Sequence, residues 1–326
     1  MNFYFKINPK FYPYLSNKFL YLIILPTEAC NFKCIYCYEK FRPGLMGQGI
    51  VEAIKRFLAV RIGELNRLKI DWFGGEPLIA YNIIVDVMKF VNDYSQKANP
   101  DLIIEGEVTT NGYLLTIDRL RELAKLKVKY YQVTFDGDKG FHDKVRIRIK
   151  GLPTFETIWN NVINAHNSSL DFEMVIRIHL HRDNMESVKS LLKKFADMLR
   201  DDERFLFHIR SVSRLGGLND DKVYPVSDNV VNEVKEYARL LGLKLFELPS
   251  PYICYASWLN SFIIMPDGTL SKCTVRLYDD VNKVGKINND GTLTVDEDKL
   301  LWWARGIINN DLKTAACPAF KGGSYV

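Results

Sequence analysis

Three cysteines in the segment PTEACNFKCIYCYEK, residues 26–40, have the residue type and spacing of a metal-binding or redox site. They stand at Cys30, Cys34 and Cys37 in the pattern C-x3-C-x2-C. A redox dithiol would use the C-x-x-C pair and would not need Cys30. A zinc site would need a distant fourth ligand, because no Cys or His follows nearby. A [4Fe–4S] cluster normally takes four thiolates, so three on one loop leave one iron open to another ligand.

Strand-like and helix-like segments alternate around this loop. Apolar runs predict buried strands at 19–25, 68–73, 102–110, 130–135, 172–180 and 204–212. Segments with helical spacing of apolar residues lie between these strands, as at Ile84, Val87, Met88 and Val91. Thr116 is the predicted N-cap of the helix in TIDRLRELAKL. Six consecutive β/α units predict a parallel sheet that curls into a full or partial barrel.

Unusual motifs follow the first four predicted strands. The cysteine loop follows the first strand and GGEP follows the second, while TTNG and TFDGD end the third and fourth. Chemistry in such folds is found at the C-terminal ends of the strands. The motifs are therefore expected to share one site.

The domain organisation changes after residue 215. We predict an N-terminal arm at 1–20, the barrel at 21–215, a connecting helix and strand at 216–250, and a smaller turn-rich domain at 251–326. The last segment carries the other three cysteines, Cys254, Cys273 and Cys317.

Composition limits the possible partners. The 326 residues are 47% hydrophobic and 25% charged, with a net charge of +5, which is ordinary for a globular enzyme. No apolar run is long enough to span a bilayer and no signal peptide is predicted, so we expect a cytoplasmic protein without a membrane partner. In a reducing compartment, clustered cysteines more often bind metal than form disulfides. No nucleic-acid motif or basic block is present, and no nucleic-acid partner is expected.

The cysteine spacing, with an aromatic residue at Tyr36, resembles the cluster loop of radical S-adenosylmethionine (SAM) enzymes. The resemblance implies a [4Fe–4S] cluster on Cys30, Cys34 and Cys37, whose open iron chelates SAM. Reductive cleavage of SAM then gives a 5′-deoxyadenosyl radical that takes hydrogen from the substrate, while the protein positions the cofactor. The resemblance also implies a partial (β/α)6 TIM-type barrel with a smaller auxiliary iron–sulfur domain.

The Gly-Gly-Glu-Pro motif of that family matches Gly74, Gly75, Glu76 and Pro77. In the family these residues bind the cofactor, because glycines allow close approach of backbone carbonyls to the methionine ammonium. A tight strand-to-helix turn alone would use the same glycines.

Four other residues are expected at the SAM site by the same resemblance. Thr134 in TFDG matches a hydroxyl that bonds the cofactor, and Arg146 in HDKVR matches the partner of the SAM carboxylate, a geometry that suits guanidinium. Asn111 is expected to reach the ribose or substrate, and Arg177 to face the site. Arg146 could instead be a surface cation of the alternating KVRIRIK strand. His179 is expected, with His181, to be structural.

The C-terminal cysteines resemble the start of a SPASM or twitch auxiliary domain, in which Gly268 and Cys273 match a G-x4-C motif. A full SPASM domain holds two clusters, but only three cysteines remain here, and Ser324 stands where a final Cys is expected. The resemblance implies one auxiliary [4Fe–4S] cluster on Cys254, Cys273 and Cys317 with an open or unidentified fourth ligand. Two alternatives remain open at this point: the auxiliary cluster has been lost, or a zinc ion takes its place.

The resemblance favours an enzyme that forms C–C or thioether crosslinks in a ribosomally made precursor peptide, with flavodoxin or ferredoxin as external electron donor. A twitch-type enzyme acting on a small molecule or nucleotide is the alternative, and the KGGSYV end faintly echoes the Gly-Gly tail of GTP-cyclising members. Sulfatase maturation is disfavoured because Thr274 replaces the Asp base of that group. A metal-binding scaffold without catalysis would not need the SAM motifs.

Overall fold

The chain alternates strands and helices in the predicted order, and the computed structural model describes residues 7–319. The strands are β1 Phe19–Ile24, β2 Phe32–Cys34, β3 Arg67–Trp72, β4 Ile103–Thr110, β5 Val128–Phe135, β6 Arg146–Arg148, β7 Glu173–Leu180, β8 Phe205–Ser211, β9 Ser261–Ile264, β10 Thr269–Ser271, β11 Lys283–Ile287 and β12 Leu293–Val295. The α-helices are α1 Tyr12–Leu15, α2 Gln48–Ile62, α3 Tyr81–Ala98, α4 Ile117–Lys125, α5 Lys139–Val145, α6 Phe155–His166, α7 Met185–Leu199, α8 Asp228–Leu240, α9 Glu297–Ile308 and α10 Leu312–Ala316. Ser324 and the KGGSYV end lie outside the described residues.

Six parallel strands form the main sheet in the order β1-β3-β4-β5-β7-β8. Helices α2, α3, α4, α6 and α7 connect them. The predicted α/β fold with a TIM-type partial barrel is therefore confirmed. Among the described strands β8 does not pair with β1, so the barrel stays open.

Local sequence signals place these elements. Ile84, Val87, Met88 and Val91 form one buried stripe of α3, as their spacing predicts. Thr116 caps α4 by accepting a hydrogen bond from the Arg119 amide. No helix among the described residues is long and apolar enough to cross a membrane.

Alternation along the strands separates a helix-facing core from a polar barrel interior. On β7, Met174, Ile176 and Ile178 belong to the main core between sheet and helices. Side chains alternate between the two faces of a strand, so Arg177 and His179 point to the opposite face, into the barrel. The predicted common face of His179 on β7 and His181 just beyond it follows from this period.

The C-terminal segment extends the main sheet instead of forming a separate one. Strand β9 pairs in parallel with β1, with Leu22 opposite Phe262, and β10, β11 and β12 continue antiparallel. Ile263 packs against Ile23 in a cluster inside the barrel. Strand β9 thereby joins the segment 251–319 to the strand that leads into the cysteine loop.

The predicted connecting strand is much reduced. Helix α8 forms as expected, but the LKLFEL segment makes only one bridge, between Leu245 and Phe207 of β8. Two backbone hydrogen bonds hold it, from the Phe207 amide to the Lys244 carbonyl and from the Phe246 amide to the Phe207 carbonyl.

Candidate active site

The cysteine loop is fastened to a distant segment by a small second sheet. Strand β2 pairs antiparallel with β6, which sets Cys34 opposite Arg146. The Arg146 Nη1 donates to the Tyr36 hydroxyl at 2.6 Å. Two motifs more than 100 residues apart in sequence thus meet, and both belong to the predicted site.

The three loop thiols are partly buried and lie near one another. Burial raises the pKa of Cys30, Cys34 and Cys37, and that of Cys37 reaches about 12. The neighbouring thiolates contribute to the shift at Cys30 and Cys37. This environment disfavours free thiolates, and the cationic core of an iron–sulfur cluster would stabilise them as ligands.

A single zinc ion fits this loop less well. Within residues 7–319, no three His, Cys, Asp or Glu side chains are positioned to share one metal ion. A [4Fe–4S] cluster has a different requirement, because each thiolate binds a different iron. The donor set therefore suits a cluster better than one tetrahedral ion.

The glycines of the GGEP motif let the loop after β3 approach the chain that leads to Cys30. Gly74 has a φ of +116°, and a Cβ there would lie 2.4 Å from the Thr27 carbonyl oxygen. A Cβ on Gly75 would lie 2.5 Å from the Ala29 carbonyl oxygen. The packing of two loops, in addition to any cofactor, accounts for these glycines.

Replacing Gly75 by alanine is expected to lower the free energy of unfolding by about 1–3 kcal/mol, since the backbone oxygens it meets cannot move aside cheaply. The displaced loop should also load less iron. Urea unfolding and iron analysis of the reconstituted chain measure both effects. Gly63→Ala is the matched control, because Gly63 has an ordinary φ of −63° and no atom within 4 Å of a Cβ. Equal behaviour of the two variants would contradict this account.

Glu76 joins three loops of the site from a fully buried position. Its carboxylate accepts hydrogen bonds from the Asn111 amide at 2.7 Å, the Leu78 amide at 3.0 Å and the Thr110 hydroxyl at 2.8 Å. Its own amide donates to the Ala29 carbonyl at 2.9 Å. Burial raises the pKa of Glu76, although these donors oppose the shift. The contacts give Glu76 a positioning role.

Two other predicted site residues, Pro77 and Asn111, adjoin Glu76. Pro77 begins a 3-10 turn, Pro77–Ala80, that leads into α3. The Asn111 side-chain Nδ2 donates to the side-chain Oδ1 of Asn31 at 2.7 Å and lies 3.9 Å from the Cys30 sulfur. Asn111 is therefore placed against the cysteine loop, and its predicted contact with the ribose or substrate stays a prediction.

Thr134 and Arg177 are direct neighbours across β5 and β7. Burial lowers the pKa of Arg177 to about 10, with Arg210 adding to the shift. Arg146 is only 6% exposed, so the alternative of a surface cation is wrong. The antiparallel pairing with β2 turns its side chain inward, whereas Lys144 and Lys150 nearby are exposed.

A buried polar cluster that the sequence did not reveal lies beside Tyr36. The Asp136 carboxylate is fully buried and lies 3.3 Å from His179 Nδ1 and 3.8 Å from His181 Nε2. These are close polar contacts rather than well-formed hydrogen bonds. The Tyr36 ring packs at 5.2 Å from His179 and 5.4 Å from His181. Both histidines therefore lie beside the candidate site, and their expected structural role stays a prediction.

The protonation states in this cluster follow from its contacts. Burial favours the neutral form of Asp136, but the two histidines outweigh it and hold the pKa of Asp136 well below its usual range. Burial lowers the pKa of His179 to about 4. Arg177 Nε donates to His179 Nε2 at 2.8 Å, which assigns the single proton of neutral His179 to Nδ1, facing Asp136. The motif TFDGD offered Asp136 as a signal, since it follows a strand of the barrel.

Burial of His142 predicts that the free energy of unfolding depends on pH. Burial lowers its pKa from the usual 6.5 to about 4, so the folded state binds fewer protons than the unfolded state between those values. Its stabilising effect is complete above pH 6.5 and is lost as the pH falls toward 4, by about 3 kcal/mol. The free energies of unfolding of wild type and His142→Leu, measured from pH 7 to pH 4.5, should therefore converge on acidification. A difference that does not change with pH would contradict the assignment.

The C-terminal cysteines also come together. The Cys254 amide donates to the Ala315 carbonyl at 3.0 Å, which ties it to the turn that carries Cys317. Burial raises the pKa of Cys254 to about 11 and that of Cys273 to about 12, and Cys317 contributes to both shifts. Free thiolates are again disfavoured here, and a bound cationic cluster would stabilise them.

Thr274 links the two cysteine groups. Its carbonyl accepts a hydrogen bond from the Tyr38 hydroxyl at 3.1 Å, and Tyr38 directly follows Cys37. Its hydroxyl lies 2.7 Å from the Tyr255 hydroxyl, which also accepts the Thr274 amide at 3.0 Å. Because Thr274 follows Cys273, one residue joins the loops of both predicted clusters.

Comparison with known proteins agrees with this geometry. Residues 24–195 match the family model of the Radical SAM superfamily. The chain is 25% identical over 222 residues to a GTP 3′,8-cyclase of Campylobacter jejuni (strain RM1221), a match that spans 65% of this chain and 63% of that relative, less than two thirds of its length. The solved structure of anSMEcpe with bound AdoMet and Cp18Cys peptide superposes with a TM-score of 0.66 at 18% identity, covering 90% of this chain and 84% of that one. Streptococcus suis SuiB bound to precursor peptide SuiA gives a TM-score of 0.59 at 16% identity, covering 96% and 70%.

Proposed function

Because the chain belongs to the radical SAM superfamily, we propose that it cleaves SAM reductively and abstracts a hydrogen atom from a peptide side chain. The expected product is a C–C or thioether crosslink in a ribosomally made precursor peptide. The observation that carries the proposal is the meeting of Cys30, Cys34 and Cys37 with Tyr36 and Arg146 at the end of the barrel.

The three loop cysteines and Arg146 are the proposed binding groups for the cluster and for SAM. Cys30, Cys34 and Cys37 would hold a [4Fe–4S] cluster, which supplies the electron for SAM cleavage when it is bound. Arg146 holds a permanent positive charge beside this loop, suited to the SAM carboxylate.

The neighbouring residues shape the SAM pocket. Gly74, Gly75 and Glu76 hold the loops in register, so that the backbone can approach the SAM ammonium. Thr134 and Arg177 face the barrel interior, where SAM and substrate would meet.

The second thiol group supports an auxiliary cluster. Cys254, Cys273 and Cys317 would ligate one [4Fe–4S] cluster, leaving its fourth ligand to another group. Such a cluster could accept the electron that remains after the crosslink forms. Crosslinking removes two hydrogens from the peptide, one to the deoxyadenosyl radical and one as a proton, and the electron needs an acceptor.

Sulfatase maturation is not favoured by the contacts of Thr274. Its hydroxyl is bonded to Tyr255, and a threonine hydroxyl is a poor proton acceptor at neutral pH. The precursor peptide is the proposed partner, since solved structures with this fold include complexes with peptides. Flavodoxin or ferredoxin is the proposed electron donor.

A second candidate function is supported by the sequence match to GTP 3′,8-cyclases. Those relatives are named for a reaction on GTP, and three auxiliary cysteines suit a twitch-type enzyme. A small molecule or nucleotide would then replace the peptide as substrate.

Anaerobic reconstitution with iron and sulfide, followed by reduction and addition of SAM, tests the proposal. About eight irons per chain would support two clusters, and about four would leave only the first. Formation of 5′-deoxyadenosine tests radical chemistry, and its absence would overturn the proposed function. Mass spectrometry of a precursor peptide encoded beside the gene should show loss of two hydrogens, whereas conversion of GTP would favour the second candidate.

A further inference from the structure

A cavity of about 350 Å³ lies between the cysteine loop, the segment after β8 and the segment after Cys273. Its volume falls within the range of small-molecule sites. The side chains that matter for its chemistry are Tyr38, Lys40, Arg214, Arg276, Tyr278 and Asp279.

The walls of this cavity are fixed to both cysteine groups. Tyr38 follows Cys37 and is bonded through its hydroxyl to Thr274, next to Cys273. The Lys40 amide donates to the Tyr278 hydroxyl at 2.9 Å. On the third side, a Cβ on Gly217 would lie 2.6 Å from the Cys37 carbonyl oxygen, so the segment after β8 packs directly on the loop. Any occupant would therefore lie beside the candidate SAM site.

The cavity is electropositive. Lys40, Arg214 and Arg276 line it against a single carboxylate, that of Asp279, which leaves a net charge of two positive units. Asp279 pairs with Arg276. Arg214 is oriented by its Nε, which donates to the Val223 carbonyl at 2.9 Å.

Lys40 carries the clearest excess charge. Its Nζ lies 4.9 Å from the centroid of the Tyr278 ring, a cation–π contact that leaves the ammonium accessible. Among the described residues, no carboxylate forms an ion pair with Lys40. A cation held by an aromatic ring at the wall of a concave site is well placed to meet an anion.

We propose that this cavity binds an anionic oxygen group of the substrate, a phosphate or a carboxylate, with Lys40 and Arg214 as its main contacts. The proposal rests on the proposed function, since it assigns the substrate of that same site. The two sources of the anion correspond to the two candidate substrates. A nucleotide would bring phosphate, and an acidic peptide would bring side-chain carboxylates.

Isothermal titration calorimetry tests the assignment. Each anion is titrated into the reconstituted full chain in the presence of SAM and without reductant. Inorganic pyrophosphate probes the phosphate source and tetraglutamate the carboxylate source, with tetraglutamine as the uncharged reference. Lys40→Gln and Arg214→Gln should each weaken binding of the preferred anion about tenfold, the usual effect of losing one charged contact. Lys193→Gln, at an exposed position of α7, should leave it unchanged. Thermal unfolding checks that the variants are folded.

Each outcome decides something. Binding of pyrophosphate alone assigns a phosphate, and binding of tetraglutamate alone assigns a carboxylate. No binding of either anion, or equal weakening by Lys193→Gln, overturns the proposal. Iron content and 5′-deoxyadenosine, measured on the same preparation, separate the two proposals. Lys40-dependent anion binding without deoxyadenosine formation would support the anion site and overturn the proposed function. Deoxyadenosine formation without anion binding would overturn only the anion site.

Discussion

Replacing Cys34 by alanine is expected to remove about four irons per chain and to abolish 5′-deoxyadenosine formation. Cys34 ends β2 and lies opposite Arg146, at the centre of the three-thiol loop. With two thiolates left, two irons of a cube would lack a protein ligand, and SAM would lose its anchoring iron. Iron analysis after anaerobic reconstitution and chromatographic detection of deoxyadenosine measure the two losses.

Cys273→Ala is the matched control for this experiment. It removes a buried thiol of the same kind from the C-terminal group. We expect it to lose about four irons as well, yet still to form deoxyadenosine, because the first loop is intact. A Cys34→Ala chain that still cleaves SAM, or a Cys273→Ala chain that does not, would require a different assignment of the two thiol groups.

Arg146→Gln is expected to weaken SAM binding between about tenfold and 100-fold, the range for loss of a charged hydrogen-bonded contact. The guanidinium is buried, and burial opposes its charge. The nearby Tyr36, Cys34 and Asp136 nevertheless raise the pKa of Arg146, so it stays protonated. Glutamine keeps a donor for the Tyr36 hydroxyl but removes the charge that a carboxylate would meet. Equilibrium dialysis of SAM against the reconstituted chain measures the change.

Arg148→Gln provides a close comparison. Arg148 lies on the same strand, donates to the Tyr113 hydroxyl at 3.0 Å and stacks on the Tyr113 ring at 4.9 Å. It resembles Arg146 in its contact with a tyrosine but is not fully buried. SAM binding should change less than about threefold, as for a partly exposed polar contact. Equal losses in both variants would indicate a general effect of the β2–β6 sheet rather than a carboxylate contact.

The polar cluster of Asp136, His179 and His181 adds to the picture of the site. Asp136 and His181 directly follow β5 and β7, His179 lies on the inward face of β7, and both histidines contact the tyrosine that bonds Arg146. A neutral His179 beside an ionised Asp136 can orient Arg177 and Tyr36 without changing charge near neutral pH. The cluster therefore stiffens the wall of the barrel next to the cysteine loop.

Local patterns in the sequence determined the order and type of the elements. Apolar runs and helical spacing placed all six barrel strands within a few residues of their observed limits, and Thr116 was correctly predicted as a cap. These signals are local, because a strand or helix expresses its period in neighbouring residues. The same reasoning placed the cysteine, GGEP and TTNG motifs at one end of a parallel sheet, where the structure joins them through Glu76.

Tertiary structure alone decided which residues meet across long distances. The pairing of β2 with β6 buries Arg146, and the pairing of β9 with β1 joins the C-terminal cysteines to the barrel. Neither pairing leaves a local mark in the sequence, because β2, β6 and β9 are only three or four residues long and register depends on packing. The Asp136–histidine cluster and the electropositive cavity arise from the same long-range contacts. Sequence therefore determined which thiols are candidate cluster ligands, while the fold determined what surrounds them, since burial and charge depend on partners remote in the chain.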